Sequence, residues 1–399
     1  MNRSASSWSK TTLRVAAPER PASRYFSEEE IDRARRYHRP LYRVFALSTA
    51  FSLAYPAVLA FTPVGRWLAG SVDDLPRWAF ALAYTAIIVA IGAVLRFPLS
   101  YWRGFVYEHR WEFSTQTRPG WLMDWVKGLG VNLVLTSVIV LGFIELAAAL
   151  HDAWPLAAAP AAVALTVFLS FVAPVVLEPI FNKFKPMEDR EFAAELFALA
   201  ERARTPVKEI LVADASRRTK KENAYVSGLG KTRRVVIYDT LLARGPKQAV
   251  KIVTAHELGH RRDRHVAWGT LLGAVGTVIG VLILWALLQS HAVLDAVSAT
   301  GPADPHVIPF VLFTITAMEF ASMPLGTAIS RRWEAAADRI SIELTQDHRG
   351  FAEMEHDLAV ANLSDLEPPR LLYLWVFTHP TPPERIEAAA VLATSPTTA

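Results

Sequence analysis

His256 and His260 stand four residues apart, and Glu257 follows the first of them directly. On an α-helix that spacing puts both imidazoles on one face. There they can take two corners of a tetrahedral metal site, with Glu257 beside them as a general base for a metal-activated water. The chain has no cysteine. Disulfides, thiolate–metal sites and a cysteine nucleophile are therefore excluded, and a third ligand must come from Asp, Glu or His. The run ISRRWEAAADRIS offers one, because Glu334 and Asp338 are again four apart. Glu334 is the candidate third ligand. Asp338 is the candidate acceptor for the outer ring N–H of a ligating histidine. An ordinary surface helix with an exposed acidic pair has the same spacing, so this pattern leaves both readings open. The cofactor expected is Zn2+, one per chain.

These residues need elements to carry them, and much of the chain is apolar. Hydrophobic residues make up 52% of 399 and mean hydropathy is +0.22, which favours a membrane protein. Six stretches are candidate spans: roughly Leu41–Thr62, Arg77–Leu95, Gly128–Leu150, Trp154–Leu177, Val266–Ser290 and Val307–Ile329. Each approaches the ~20 residues a helix needs to cross the hydrocarbon core. Lys and Arg collect before Leu41, in 96–128, in 183–251 and after Arg331, and are nearly missing from the alternate loops. Positive residues mark the cytoplasmic side. Both termini and the segment 178–265 are therefore expected in the cytoplasm. Net charge is +4, but the basic residues flank spans, so lipid and not nucleic acid is the expected partner. No cleaved signal peptide is apparent in the first 40 residues.

The segment 178–265 is the one sizeable polar block inside the chain. Phe192, Leu196, Leu199 and Ala203 recur at helical spacing. Strand-like runs follow at Glu209–Ala213, Ala224–Ser227 and Arg234–Tyr238, with Gly228-Leu229-Gly230-Lys231 as a hairpin turn. The expected class is mainly α: a polytopic α-helical membrane protein of about six spans with a small cytoplasmic α+β, zincin-like catalytic domain. The expected division is a basic segment 1–40, a four-span bundle 41–177, a catalytic segment 178–265, two spans in 266–330 and a C-terminal part 331–399. His265, which closes the run HELGHRRDRH, reads as a solvated histidine. Glu145 and Glu319, inside or near the ends of spans, hint at a wet chamber.

Several further motifs accompany the histidines. They include Asn223-Ala224-Tyr225-Val226-Ser227-Gly228, Tyr238-Asp239-Thr240-Leu241-Leu242, Pro179-Ile180-Phe181-Asn182-Lys183-Phe184, Ser330-Arg331-Arg332 before Glu334, and His379-Pro380 with Arg385. In this order and spacing, from about residue 25 to 390, the chain resembles the membrane CAAX prenyl endopeptidases, integral-membrane gluzincin zinc metalloproteases of the Ste type. The resemblance implies that Asn223, with Tyr225 in the same strand, holds an extended substrate backbone. It implies that His379 stabilises the oxyanion and that Arg385 braces the acidic cluster. The expected partner is a peptide or protein substrate, with prenylated or membrane-associated ones among the candidates. Relatives of the eukaryotic type have seven spans, and the expectation here is six, without a counterpart of their first. The Ala- and Arg-rich composition suggests a high-GC bacterium and hence its plasma membrane. The rival readings are an HtpX-like quality-control protease and, more remotely, a non-catalytic membrane scaffold or transporter.

Overall fold

The computed structural model describes residues 22–172, 176, 178–228 and 233–394. Eleven of its helices are labelled here: α1 Glu28–Phe61, α2 Arg77–Tyr101, α3 Arg118–Leu150, α4 Pro155–Val172, α5 Arg190–Arg202, α6 Lys247–Arg262, α7 His265–Leu288, α8 Ile308–Thr345, α9 His348–Asn362, α10 Arg370–Val376 and α11 Pro382–Thr394. Among the described residues, five stretches are long and apolar enough to cross a membrane: Glu28–Phe61, Arg77–Arg110, Arg118–Ala153, His265–Leu288 and Pro305–Thr345. The sixth expected span is represented by α4. Part of its expected end, at 173–175 and 177, lies outside the described residues.

The first helix begins at Glu28, well before Leu41. Ser27 accepts from the Glu30 amide, and the Glu30 carboxylate accepts from the Ser27 amide. This reciprocal capping box satisfies two amides that no helical carbonyl can reach. At the far end of the bundle, Tyr84, Ile144, Leu288 and Ile308 join α2, α3, α7 and α8 in one buried cluster with Trp154, which stands just before α4. Large apolar side chains such as Leu47, Val94, Val134, Leu271 and Ile279 are exposed. In water so many would form an interaction patch; on helices long enough to span a bilayer, exposed apolar surface suits lipid. The Glu145 carboxylate pairs with Arg77 at 2.9 Å, both side chains being about half exposed.

The polar block folds as expected, with one more strand. Strands β1 Phe184–Pro186, β2 Glu209–Ala213, β3 Ala224–Ser227 and β4 Arg234–Tyr238 form a sheet in the order β1-β2-β4-β3. β2 and β4 run parallel, and the other two pairings are antiparallel. β1 is three residues long and contains a proline, too little for a period-2 pattern to show. Leu229, Gly230 and Lys231 of the expected hairpin turn lie outside the described residues. Strand alternation sends Ile210, Ala224, Val226, Val235 and Ile237 to one face, where they pack on Phe192 and Leu196 of α5 and Leu258 of α6. That packing seats the helix bearing both histidines against the sheet, and β3 is the edge strand beside it.

Glu334 was expected on a separate helix following a span that ends at Ile329. The structure has one continuous 38-residue helix, α8, despite Pro324 in its interior. Proline cannot donate to the carbonyl four residues back, which is Phe320. The indole Nε1 of Trp375 donates to that carbonyl instead, at 3.2 Å. At 1.5 Å per residue Glu334 lies about 39 Å along α8 from Ile308, beyond a hydrocarbon core of ~30 Å.

Candidate metal centre

Helices α6 and α8 cross at a point of close approach. A Cβ on Gly259 would lie 3.1 Å from the Ala337 Cα and 3.2 Å from the Ile340 Cβ. The helices can come this near because Gly259 has no side chain and Ala337 has a small one. The crossing brings the two i, i+4 pairs face to face. His256 Nε2 lies 3.1 Å from His260 Nε2 and 3.1 Å from Glu334 Oε2, and His260 Nε2 lies 3.3 Å from Glu334 Oε1. Among the described residues these three form a group able to hold a metal ion, their ligand atoms all within 4.8 Å of one another.

The residues fit a zinc-type dication. Ligands at ~2.0–2.1 Å in a tetrahedron are ~3.3 Å apart, close to the separations found. Glu334 Oε2 is buried and accepts no hydrogen bond, a costly arrangement for a carboxylate oxygen unless a cation completes it. Two imidazoles and a carboxylate are also a known catalytic zinc donor set.

The surroundings are ordered from behind. His256 Nδ1 lies 2.8 Å from Asp338 Oδ1, the contact expected of a ligating histidine. Arg385 Nε donates to Asp338 Oδ2 at 2.9 Å, and Arg385 Nη1 reaches Glu355 Oε1 at 2.6 Å. Burial works against a proton on His256. Asp338 and Glu334 work for one and prevail, holding its pKa up at about 10. The same two carboxylates that favour the proton also favour a dication. On Arg385, Asp338 and Glu355 more than offset burial and keep the guanidinium charged. Burial lifts Glu257 above the usual carboxylate range, the direction suited to a group that takes and returns a proton near neutrality.

The group opens on a cavity of about 840 Å³ whose lining includes Asn223, His256, Glu257, His379 and Arg385. His379 Nε2 lies 3.4 Å from Glu334 Oε2. Its position depends on Arg331, a buried side chain that donates to the Tyr373 and Phe377 carbonyls at 3.1 and 2.6 Å. Those carbonyls end the short helix α10 and have no partner within it. Arg331 stands in the Ser330-Arg331-Arg332 run before Glu334, and nothing in that run marks it for this task. Glu355, on α9, carried no local signal at all.

Tyr225 sits differently from the other expected site residues. Its hydroxyl donates to Glu178 at 3.3 Å and its ring meets Tyr238 edge-on, on the sheet face away from α6. It is not among the residues lining the cavity. Its strand, however, presents a backbone edge. The Tyr238 amide donates to the Asn223 carbonyl at 3.0 Å, so alternation turns the amides and carbonyls of Ala224 and Val226 away from β4. The Val226 amide donates to the Glu257 carboxylate and its carbonyl accepts from Arg261. Helix α6 thus occupies the edge at Val226, and Ala224 is buried, while Asn223 at the head of the strand lines the cavity.

Comparison with known proteins agrees with this geometry. Residues 186–393 match the model of peptidase family M48, and residues 10–183 match that of the CAAX prenyl protease N-terminal region with five membrane helices. A metalloprotease of Bacillus subtilis named YhfN is 28% identical over 82% of this chain and 76% of its own. CAAX prenyl protease 1 of Saccharomyces cerevisiae is 27% identical over 78% of this chain and 72% of its own. The crystal structure of S. mikatae Ste24p superposes with a TM-score of 0.81 at 25% identity, covering 92% of this chain and 90% of that one.

Proposed function

The chain belongs to peptidase family M48 and is an integral-membrane metalloprotease of the CAAX-prenyl-protease type, and from that premise we propose that it uses one zinc ion to cut peptides presented near the cytoplasmic membrane surface, prenylated CAAX-like peptides among them. The observation that carries this reading is the meeting of His256, His260 and Glu334 beside Glu257, on a cavity bordered by an edge strand. His256, His260 and Glu334 would hold the metal. When bound there, zinc supplies Lewis acidity toward the scissile carbonyl and lowers the pKa of a water toward ~7.

The remaining tasks fall to the chain's own side chains. An extended substrate would lie beside the edge strand at Asn223, the strand residue that lines the cavity, with the Asn223 side chain holding its backbone. Tyr225 would contribute as part of that strand. Glu257 would take a proton from the attacking water and return it to the leaving amine. Thr378 Oγ1 lies 2.9 Å from His379 Nδ1. A hydroxyl donating there leaves the Nε2–H of His379 free to stabilise the developing oxyanion. Asp338 would hold the His256 ring, with Arg385 behind it. Leu41, Tyr42 and Phe45 of α1 bring apolar surface into the cavity wall, which suits a lipid-modified peptide. A bacterial plasma membrane is the proposed location, with both termini and the site cytoplasmic. No observation favours the quality-control alternative.

The test offers the full-length chain in detergent a farnesylated CAAX peptide and its unprenylated twin, with products identified by mass. The expected outcome is endoproteolysis of the farnesylated peptide, abolished in Glu257→Gln while zinc remains bound. Cleavage of neither peptide would overturn the CAAX assignment. Wild-type turnover by Glu257→Gln would overturn the mechanism.

A further inference from the structure

His260 has a partner that its sequence position conceals. His265 was expected in solvent, five residues on and past four charged side chains, yet it is buried at 7% exposure at the start of α7. Arg264, at φ +57°, takes the left-handed conformation between α6 and α7 and turns the chain back. The His265 ring stacks on Trp333, with centroids 5.1 Å apart and planes within 10°. Its Nδ1 lies 3.0 Å from His260 Nδ1.

The direction of that hydrogen bond follows from the site. His260 Nε2 faces His256 and Glu334, so as a ligand nitrogen it carries no proton, and the proton of the neutral ring is on Nδ1. Of two facing Nδ1 atoms one donates and the other accepts. His260 therefore donates and His265 accepts, with the proton of His265 on its own Nε2. We propose that His265 is the positioning residue for His260: it fixes the tautomer and the ring angle as Asp338 does for His256, with a neutral imidazole in place of a carboxylate. The indole that orients His265 belongs to the residue before Glu334. The contact therefore also ties the first turn of a membrane-spanning helix to both ligand helices.

The inference rests on the proposed metal centre, and its test keeps the two apart. Zinc affinity is measured by chelator competition on the full-length chain in detergent, for wild type, His265→Phe, His265→Asn and His265→Ala, after thermal unfolding has verified that each variant is folded. Phe keeps the stacking and removes the acceptor. Asn places an oxygen near the Nδ1 position and restores it. The expected result is a loss of about ten- to a hundredfold for Phe and Ala, with Asn within a few-fold of wild type. Wild-type affinity in His265→Phe would overturn the inference. So would an equal loss in Phe and Asn, because either means that His265 acts through packing alone. A wild-type chain that binds no zinc would instead overturn the metal centre itself, and this inference with it.

Discussion

At the scale of single residues, the site combines charges that balance with one that does not. His256, Asp338, Arg385 and Glu355 form a buried chain in which each charge faces an opposite or a hydrogen-bonding neighbour. Asp365 is the contrast. It lines the same cavity, but Oδ2 has no hydrogen-bond partner, and burial pushes its carboxyl up to about 7 from an ordinary value of 3.8. Folding therefore favours the protonated form. The cost of the buried carboxylate is absent at low pH and grows as pH rises from the ordinary value through the folded one. Asp365→Asn should accordingly unfold several degrees higher than the parent at about pH 8, with the difference shrinking toward pH 5. Thermal unfolding in detergent across that range checks it, and an equal difference at both pH values would count against it.

At the scale of elements, the site depends on how closely α6 approaches α8. The atoms facing Gly259 include backbone of α8, which cannot swing aside as a side chain can. Alanine favours a helix over glycine by up to ~1 kcal/mol, but here the added methyl has to push apart the two helices bearing the ligands. Such overpacking costs about 1–3 kcal/mol. Gly259→Ala should lower the melting temperature and weaken zinc binding together. Gly276→Ala in α7, where a Cβ would meet nothing within 4 Å, should leave both unchanged or raise stability slightly. Differential scanning fluorimetry with and without added zinc separates the two variants.

At the scale of the whole molecule, the question is which membrane face carries the site. His265 begins α7 directly after the ligand helix, and Glu334 lies beyond the membrane-length part of α8. Both therefore fall at the same end of the bundle, and the Lys and Arg bias is the ground for the proposal that this end is cytoplasmic. The absence of native cysteine makes this simple to test. Ala296, in the connection between α7 and α8, and Glu201, at the end of α5, are both exposed. A membrane-impermeant maleimide should label Ala296→Cys on intact cells and Glu201→Cys only after permeabilisation. The reverse pattern would invert the orientation.

How much was legible in the chain depended on the range of the interaction involved. The HExxH pair, the Glu334/Asp338 pair, the face of α5 and the strands β2, β3 and β4 all rest on helical or strand periodicity, which is local and therefore written in consecutive residues. The spans and their bias in charge rest on transfer of whole segments between water and lipid, which composition also records. The close crossing at Gly259, the continuation of α8 through Pro324, and the tasks of Arg331, Glu355 and His265 depend on which surfaces meet. His265 shows the difference most plainly. Beside Arg261, Arg262, Asp263 and Arg264 its neighbours in sequence are charged and suggest solvent, while its neighbours in space are an indole ring and a second imidazole. Only packing of α7 against α8 could decide between them, because burial is a property of the assembled surfaces and not of the residues on either side in the chain.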